Sequence, residues 1–210
     1  MIFGELPLGE AEGAILAHSV KHDGGMFKKG RTLTADDIAL LMTSGVKQVF
    51  AAKLDKDDVP EDEAAAAVAS RVGAQGTTAQ APFTGRANLH AACHGLAIVD
   101  VERVHALNRL HESLTLATVQ PFAIVEEREM VATVKVIPFA VPRTVLEKAL
   151  AIIGKEPLVR VAAFRNKRAG LVITRLPQTK PSIIAKSEEA IRERIVAPVS
   201  YTHLTLPTKA

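Results

Sequence analysis

The run Ala169-Gly170-Leu171-Val172-Ile173 is apolar at every position and stops abruptly at Thr174-Arg175-Leu176-Pro177. An apolar segment without alternation fits a strand covered on both faces, the mark of a parallel sheet. Ser182 to Ile195 follows as a helical pattern, with Ile183, Ile184, Ile191 and Ile195 as its apolar positions. Strand, polar loop and helix in that order open a doubly wound unit, and ligands of such sheets gather at the carboxyl ends of the strands. The sequence therefore predicts an α/β fold in which the polar corner after Ile173 meets a ligand. More strands than follow in this sequence are needed to close such a sheet.

Upstream, short β-rich and helical segments alternate. Gly13 to Val20 suits a strand, and His22-Asp23-Gly24-Gly25 has turn chemistry. Thr34 is placed to cap a helix whose first turn holds Asp36 and Asp37 and whose end is marked by Gly45. Val46 to Ala51 alternates as a strand, and the Asp-rich stretch from Leu54 to Pro60 reads as a loop. A helix is expected from Glu61 to about Gly73, followed by a turn at Gln75 to Thr78. The spacing predicts a further helix over Ala87–His94 closed by Gly95, a strand at Leu96–Val99 and a helix at Val101–Leu110. Leu114–Val119 and Val131–Ile137 are β-rich, Pro142 starts a helix to about Ile153, and Leu158–Ala163 is a strand.

The predicted organisation is an α+β N-terminal region over 1–156, divisible at 53/54, and the start of a parallel-sheet domain over 157–196. Residues 197–210 do not continue the pattern: they hold the only Tyr and no helical period, and they read as a non-native tail.

Composition enters through what it excludes. With no Trp and one Tyr, the cores must be built from aliphatic side chains, and the net charge of +3 comes without a basic stripe interleaved with aromatics. Nucleic-acid binding is not expected on that pattern. A single cysteine, Cys93, rules out an internal disulfide framework and points to a reducing compartment. The N-terminus has no signal-peptide pattern and no apolar stretch reaches the length of a membrane span, so a cytoplasmic protein without a membrane partner is expected.

Several blocks resemble one family. Leu6-Pro7-Leu8-Gly9-Glu10-Ala11-Glu12-Gly13-Ala14-Ile15-Leu16-Ala17-His18-Ser19, Phe27-Lys28-Lys29-Gly30-Arg31, Phe83-Thr84-Gly85-Arg86-Ala87-Asn88-Leu89 and the stretch from Met130 to Val141 are similar to molybdopterin-binding proteins related to molybdopterin molybdotransferase. Ala169 to Pro177 resembles the first strand and loop of that family's molybdopterin-binding domain. The resemblance covers about residues 1–196. It implies molybdopterin as ligand in molybdenum cofactor biosynthesis, with magnesium compatible with the complete protein and self-association left open. It also implies a C-terminally truncated chain, because the family's pterin pocket is completed by a glycine- and serine-rich loop further on. Some members carry a fused cytidylyltransferase downstream. The Thr-Gly-Asp loop of the molybdotransferase is here Thr174-Arg175-Leu176, without the carboxylate. That departure favours a divergent binding protein over a molybdate-inserting transferase. A non-catalytic cofactor carrier and a dimerisation module stand as alternatives.

The expected cofactor-binding residues are Thr174, Arg175, Thr179 and Lys180, hydroxyls and cations at a strand end ahead of a helix. Arg86 and Asn88 join them as a fork-shaped donor set for phosphate or carboxylate. The plainer alternatives are a solvated loop with Ser182 capping the next helix, and a loop tied to a neighbouring strand. His90, Cys93 and His94 would bring two imidazoles to one face of a helix, without a third ligand at clear spacing, and no metal is assigned. His105, Asn108, His111 and Glu112 read as polar groups of a helix and its exit, with acid–base chemistry the lesser alternative.

Overall fold

Thr34 starts the first helix in the way its side chain dictates. The computed structural model describes residues 1–165, 170–174 and 176–196. The N-terminal unit comprises strands β1 (Ile2–Pro7), β2 (Ile15–Leu16), β3 (Val20–His22) and β4 (Gly25–Phe27), helix α1 (Ala35–Thr43) and strand β5 (Gln48–Lys53). The Thr34 hydroxyl accepts from the Asp37 N–H at 3.2 Å, and the Asp37 carboxylate accepts from the Thr34 N–H at 3.2 Å. Such a capping box satisfies two of the donors a helix start leaves unpaired. Arg31 then grips the same carboxylate at 2.8 and 2.9 Å. Its hydrogen bonds, outweighing burial, hold Asp37 below the usual carboxylate range.

β1 pairs antiparallel with β5, which pairs on its other side with β2. Of the strand expected from Gly13 to Val20, only Ile15–Leu16 is one, with Val20 opening β3 in a separate hairpin, and β1 is a strand without a counterpart in the sequence expectation. Leu6, Leu8, Leu16, Leu33, Leu41 and Val49 form this unit's core.

The central body continues with β6 (Asp58–Pro60), α2 (Glu61–Val72), β7 (Thr77–Ala79), β8 (Arg86–Ala91), β9 (Gly95–Val99) and α3 (Val101–Asn108). It is completed by β10 (Leu114–Thr118), β11 (Ile124–Val125), β12 (Met130–Val136), β13 (Ala140–Pro142), α4 (Arg143–Ile153) and β14 (Val159–Ala163). One sheet has the order β10-β12-β8-β7 and another β11-β9-β14, while β13 pairs with β6. The helix expected over Ala87–His94 is replaced by strand β8. Ala87, Leu89 and Ala91 are buried while Arg86, Asn88 and His90 are not, a period of two. The Asp-rich segment read as a loop contains β6, anchored by the fully buried Val59.

β14 lies beyond the expected boundary at 156/157, yet it pairs antiparallel with β9 and places Val159 and Val161 in the central core. Every strand pairing among the described residues is antiparallel; the one parallel contact is an isolated bridge between Gly73 and Val159. The class is α+β. The stretch expected as a doubly covered strand behaves otherwise. Gly170 to Thr174 lies in no strand, and Val172 is 83% exposed. A strand needs neighbours for its N–H and C=O groups, and no described residue supplies them here. Helix α5 (Pro181–Val196) follows, one residue earlier than expected, with proline at its first position. Arg175 and the expected non-native tail, 197–210, lie outside the described residues. No described helix is long and apolar enough to cross a membrane.

Candidate functional site

Antiparallel pairing of β8 with β12 sets Arg86 directly opposite Lys135, and Asn88 opposite Thr133. Arg86 and Lys135 are both exposed. Like charges directly opposed across a sheet are destabilising, so this pair needs a reason to persist. A third cation, Lys29, reaches the same place from the segment after β4, where its N–H donates to the Ser19 hydroxyl at 3.2 Å. Lys29, Gln80, Phe83, Thr84, Arg86, Asn88 and Lys135 line one cleft of about 480 Å³. Among the described residues, none of the three cations is in an ion pair.

The Thr133 hydroxyl donates to Asn88 Oδ1 at 2.8 Å. That bond occupies the carbonyl end of the amide and leaves the two N–H donors of Asn88 for another acceptor.

The rim of the cleft is a two-residue hairpin. Phe83 and Arg86 exchange both backbone hydrogen bonds, at 2.9 and 3.2 Å, around Thr84 and Gly85. Thr84 and Gly85 have φ of 49° and 70°, the doubly left-handed geometry of a type I′ turn. Glycine is required at the second position: a Cβ on Gly85 would lie 2.5 Å from the Val136 carbonyl oxygen and 2.7 Å from Glu61 Oε2. Threonine at the first position is the opposite case, a β-branched residue where Asn, Asp or Gly is preferred. The turn is fastened from behind, because the Gly85 N–H donates to Asp62 Oδ1 at 2.7 Å and the Val136 N–H to the Gly85 carbonyl at 2.7 Å. Phe83, 77% exposed, offers a bare ring beside it. Burial, helped by the neighbouring Asp62 charge, pushes the Glu61 carboxyl above its ordinary range.

Of the residues expected to bind a cofactor, Arg86 and Asn88 meet in this cleft. Thr174, Thr179 and Lys180 line none of the described hollows. The Thr179 N–H donates to the Leu176 carbonyl at 3.0 Å, and the Lys180 carbonyl accepts from the Ile183 N–H at 3.0 Å, as in a loop entering a helix. Lys29, Phe83, Thr84 and Lys135 are cleft residues that the sequence reading did not select as site residues. A two-residue period in both Arg86–Ala91 and Met130–Val136 is the signal that could have found Lys135.

The histidines divide differently from expectation. His90 is on β8, and Cys93 and His94 are in the turn after it, so the helical face that would have paired the imidazoles does not exist. His94 stands 3.6 Å from Glu126 and edge-on to Phe164. No group of three metal-ligating residues occurs among the described residues. Asn108 bonds the backbone of Leu116 in both directions, at 2.9 and 2.8 Å, and so finishes the edge of β10. His111 Nδ1 accepts from the Ser113 N–H at 3.2 Å and lies 2.8 Å from its hydroxyl.

A larger hollow of about 550 Å³ is lined by Ile137, Pro138, Ala140 and Pro142, with Asp58, His111 and Ser113 among its polar members. Those polar groups are already engaged, Asp58 with the N-terminal ammonium at 2.7 Å and His111 with Ser113. It is bigger, but the side chain left unengaged there is the exposed carboxylate of Glu112, an acceptor rather than a donor. The cationic cleft is the better candidate.

Residues 5–53, spanning most of β1 through β5, match a family described as a domain of unknown function (DUF8806). No curated protein and no solved structure matches the chain.

Proposed function

We propose that the protein binds a small phosphorylated heterocycle, molybdopterin according to the resemblance of its sequence, in the cleft between β8, β12 and the Lys29 segment. One observation carries the reading: Arg86 and Lys135 oppose each other across antiparallel strands beside Lys29, without carboxylate partners among the described residues. A dianionic phosphate between them converts a repulsive pair into charge-assisted hydrogen bonds. The exposed Phe83 ring supplies a flat apolar surface for a heterocycle, and the Asn88 amide supplies donors for its polar edge. Phosphate at the cations and ring at the aromatic is the division a phosphorylated pterin requires.

The role within this reading is carriage in molybdenum cofactor biosynthesis. The cleft lining contains neither carboxylate nor imidazole, so it offers neither of the usual groups for acid–base chemistry. Transferase chemistry, with magnesium, belongs in this proposal to a complete parallel-sheet domain that the segment from Gly170 through α5 would open, with Thr174, Arg175, Thr179 and Lys180 at its strand end. A dimerisation role has one observation in its favour. Ile2 and Phe3 are 58% and 54% exposed, and Phe3 lies 5.1 Å from Phe50 and 5.9 Å from Phe139, ring centre to ring centre. Light scattering across protein concentrations tests it: a mass that stays monomeric at every concentration removes it.

Calorimetric titration with hydroxymethylpterin phosphate, a stable phosphorylated pterin, tests the main reading. Saturable binding is expected, weakened at least about tenfold by a combined Arg86→Ala and Lys135→Ala change. Equal affinity of both proteins, or no heat from either, overturns it.

A further inference from the structure

We propose that Thr84 is a phosphate-contacting residue, held in a strained conformation so that its hydroxyl completes the anion site formed by Lys29, Arg86 and Lys135. This rests on the cleft being an anion site. Its independent support is the backbone. Thr84 has φ of 49°, a region that β-branched side chains avoid, in a turn type where asparagine or glycine fits without strain. Outliers of this kind persist where surrounding structure imposes them, and they gather at functional sites.

The surroundings do impose it. Gly85 is pinned to Asp62 and to Val136, and Phe83 and Arg86 are joined by two hydrogen bonds, so the turn has no freedom to relax around residue 84. Among the described residues the Thr84 hydroxyl takes no hydrogen bond that would offset the strain locally, and Thr84 is one of the residues lining the cleft. A hydroxyl adds what three cations lack, a short directional O–H donor to one phosphate oxygen. The ligand class that follows is a phosphate monoester, whose third terminal oxygen gives the Thr84 hydroxyl an acceptor of its own beside those met by the cations. A carboxylate has only two and would leave Thr84 without a role.

Thr84→Gly and Thr84→Ser separate this from a merely structural turn, with inorganic phosphate as the probe in calorimetry and thermal unfolding recorded alongside. Thr84→Gly is expected to melt higher than the wild type, because it relieves the strain, and yet to bind phosphate about tenfold more weakly. Thr84→Ser, which keeps the hydroxyl, is expected to bind within about twofold of the wild type. If Thr84→Gly binds as tightly as the wild type, Thr84 is not a contact, and the proposal falls while the cationic cleft stands. If Arg86→Ala also leaves phosphate binding unchanged, or the wild type does not bind, the cleft reading fails first and takes this one with it.

Discussion

Two hollows of similar size lie on the same body, and they differ in what their polar groups are doing. Around the hollow of about 550 Å³, Asp58, His111 and Ser113 are satisfied within the protein, Glu112 is an exposed carboxylate that offers no donor, and the rest of the wall is largely apolar, Ile137 and Pro138 among it. Around the cleft of about 480 Å³, Arg86 opposes Lys135 without a counter-charge and Thr84 holds a conformation its side chain disfavours. Each of those features costs stability in the empty protein. Two other arginines are committed to structure: Arg31 to Asp37, and Arg103 to Asp100 at 2.8 Å and to the carbonyls of Ile153 and Glu156. The lesson is that unengaged donors, rather than volume, separate a site from a packing defect.

That contrast predicts crossed effects for mutations in the two regions. The largest is Arg86→Glu. Reversing one charge of the opposed pair should lower phosphate affinity on the order of 100-fold, about 3 kcal/mol. It should also raise the stability of the empty protein slightly, because the introduced carboxylate facing Lys135 makes a favourable pair. Affinity falling together with stability would break the comparison, since Arg86 would then be a structural residue. Ile137→Ser in the other hollow should leave phosphate affinity unchanged.

The structural side answers with the opposite pattern. Asn108→Ala removes both hydrogen bonds that finish the β10 edge at Leu116. Asn108 is exposed, so water replaces part of the loss, and the expected cost is about 1.5 kcal/mol, or roughly 3–6 °C in melting temperature. Phosphate affinity should not move. A matching fall in affinity would mean that β10 and the cleft are one cooperative unit.

How much of this was legible in the sequence depends on how local the cause is. The start of α1 reads directly, because a capping box needs only Thr34 and the carboxylate three residues on. The helix over Glu61–Val72 reads well for the same reason, with acids ahead of an alanine run. β1 does not, since its partner β5 is more than forty residues away and only that pairing makes it a strand. β8 misleads because its buried positions are Ala87, Leu89 and Ala91, residues that also favour helices; only alternation with Arg86, Asn88 and His90 betrays the strand. The site inherits that limit. Arg86 and Asn88 can be picked as donors from a short motif, but Lys135 joins them through sheet register and Lys29 through the approach of the N-terminal unit. The expected site at Thr174, Thr179 and Lys180 rested on an apolar run whose neighbours are not among the described residues.

The smallest expected effect is also the most diagnostic, because it comes from a group behind the cleft. Glu61 sits under the Thr84–Gly85 turn, and burial, then the Asp62 charge, raises its carboxyl above the ordinary range. A carboxyl with a raised folded-state pKa stabilises the fold most at pH below its unfolded value. That contribution is lost as pH rises through the folded value. At neutral pH, Glu61 is therefore a charge the fold carries at some cost, and it opposes an anion in the adjacent cleft. Glu61→Gln removes both effects: the neutral-pH melting temperature should rise, and anion affinity should increase by about threefold. Sulfate is the proper probe, since its own charge is constant over this range. Wild-type affinity for sulfate should climb as pH is lowered toward the carboxylate range, and the climb should be shallower in Glu61→Gln, with the difference assigning that part of the profile to this residue. Identical profiles would place Glu61 outside the field of the cleft, and the two hollows would then differ only in their cations and in the turn that frames them.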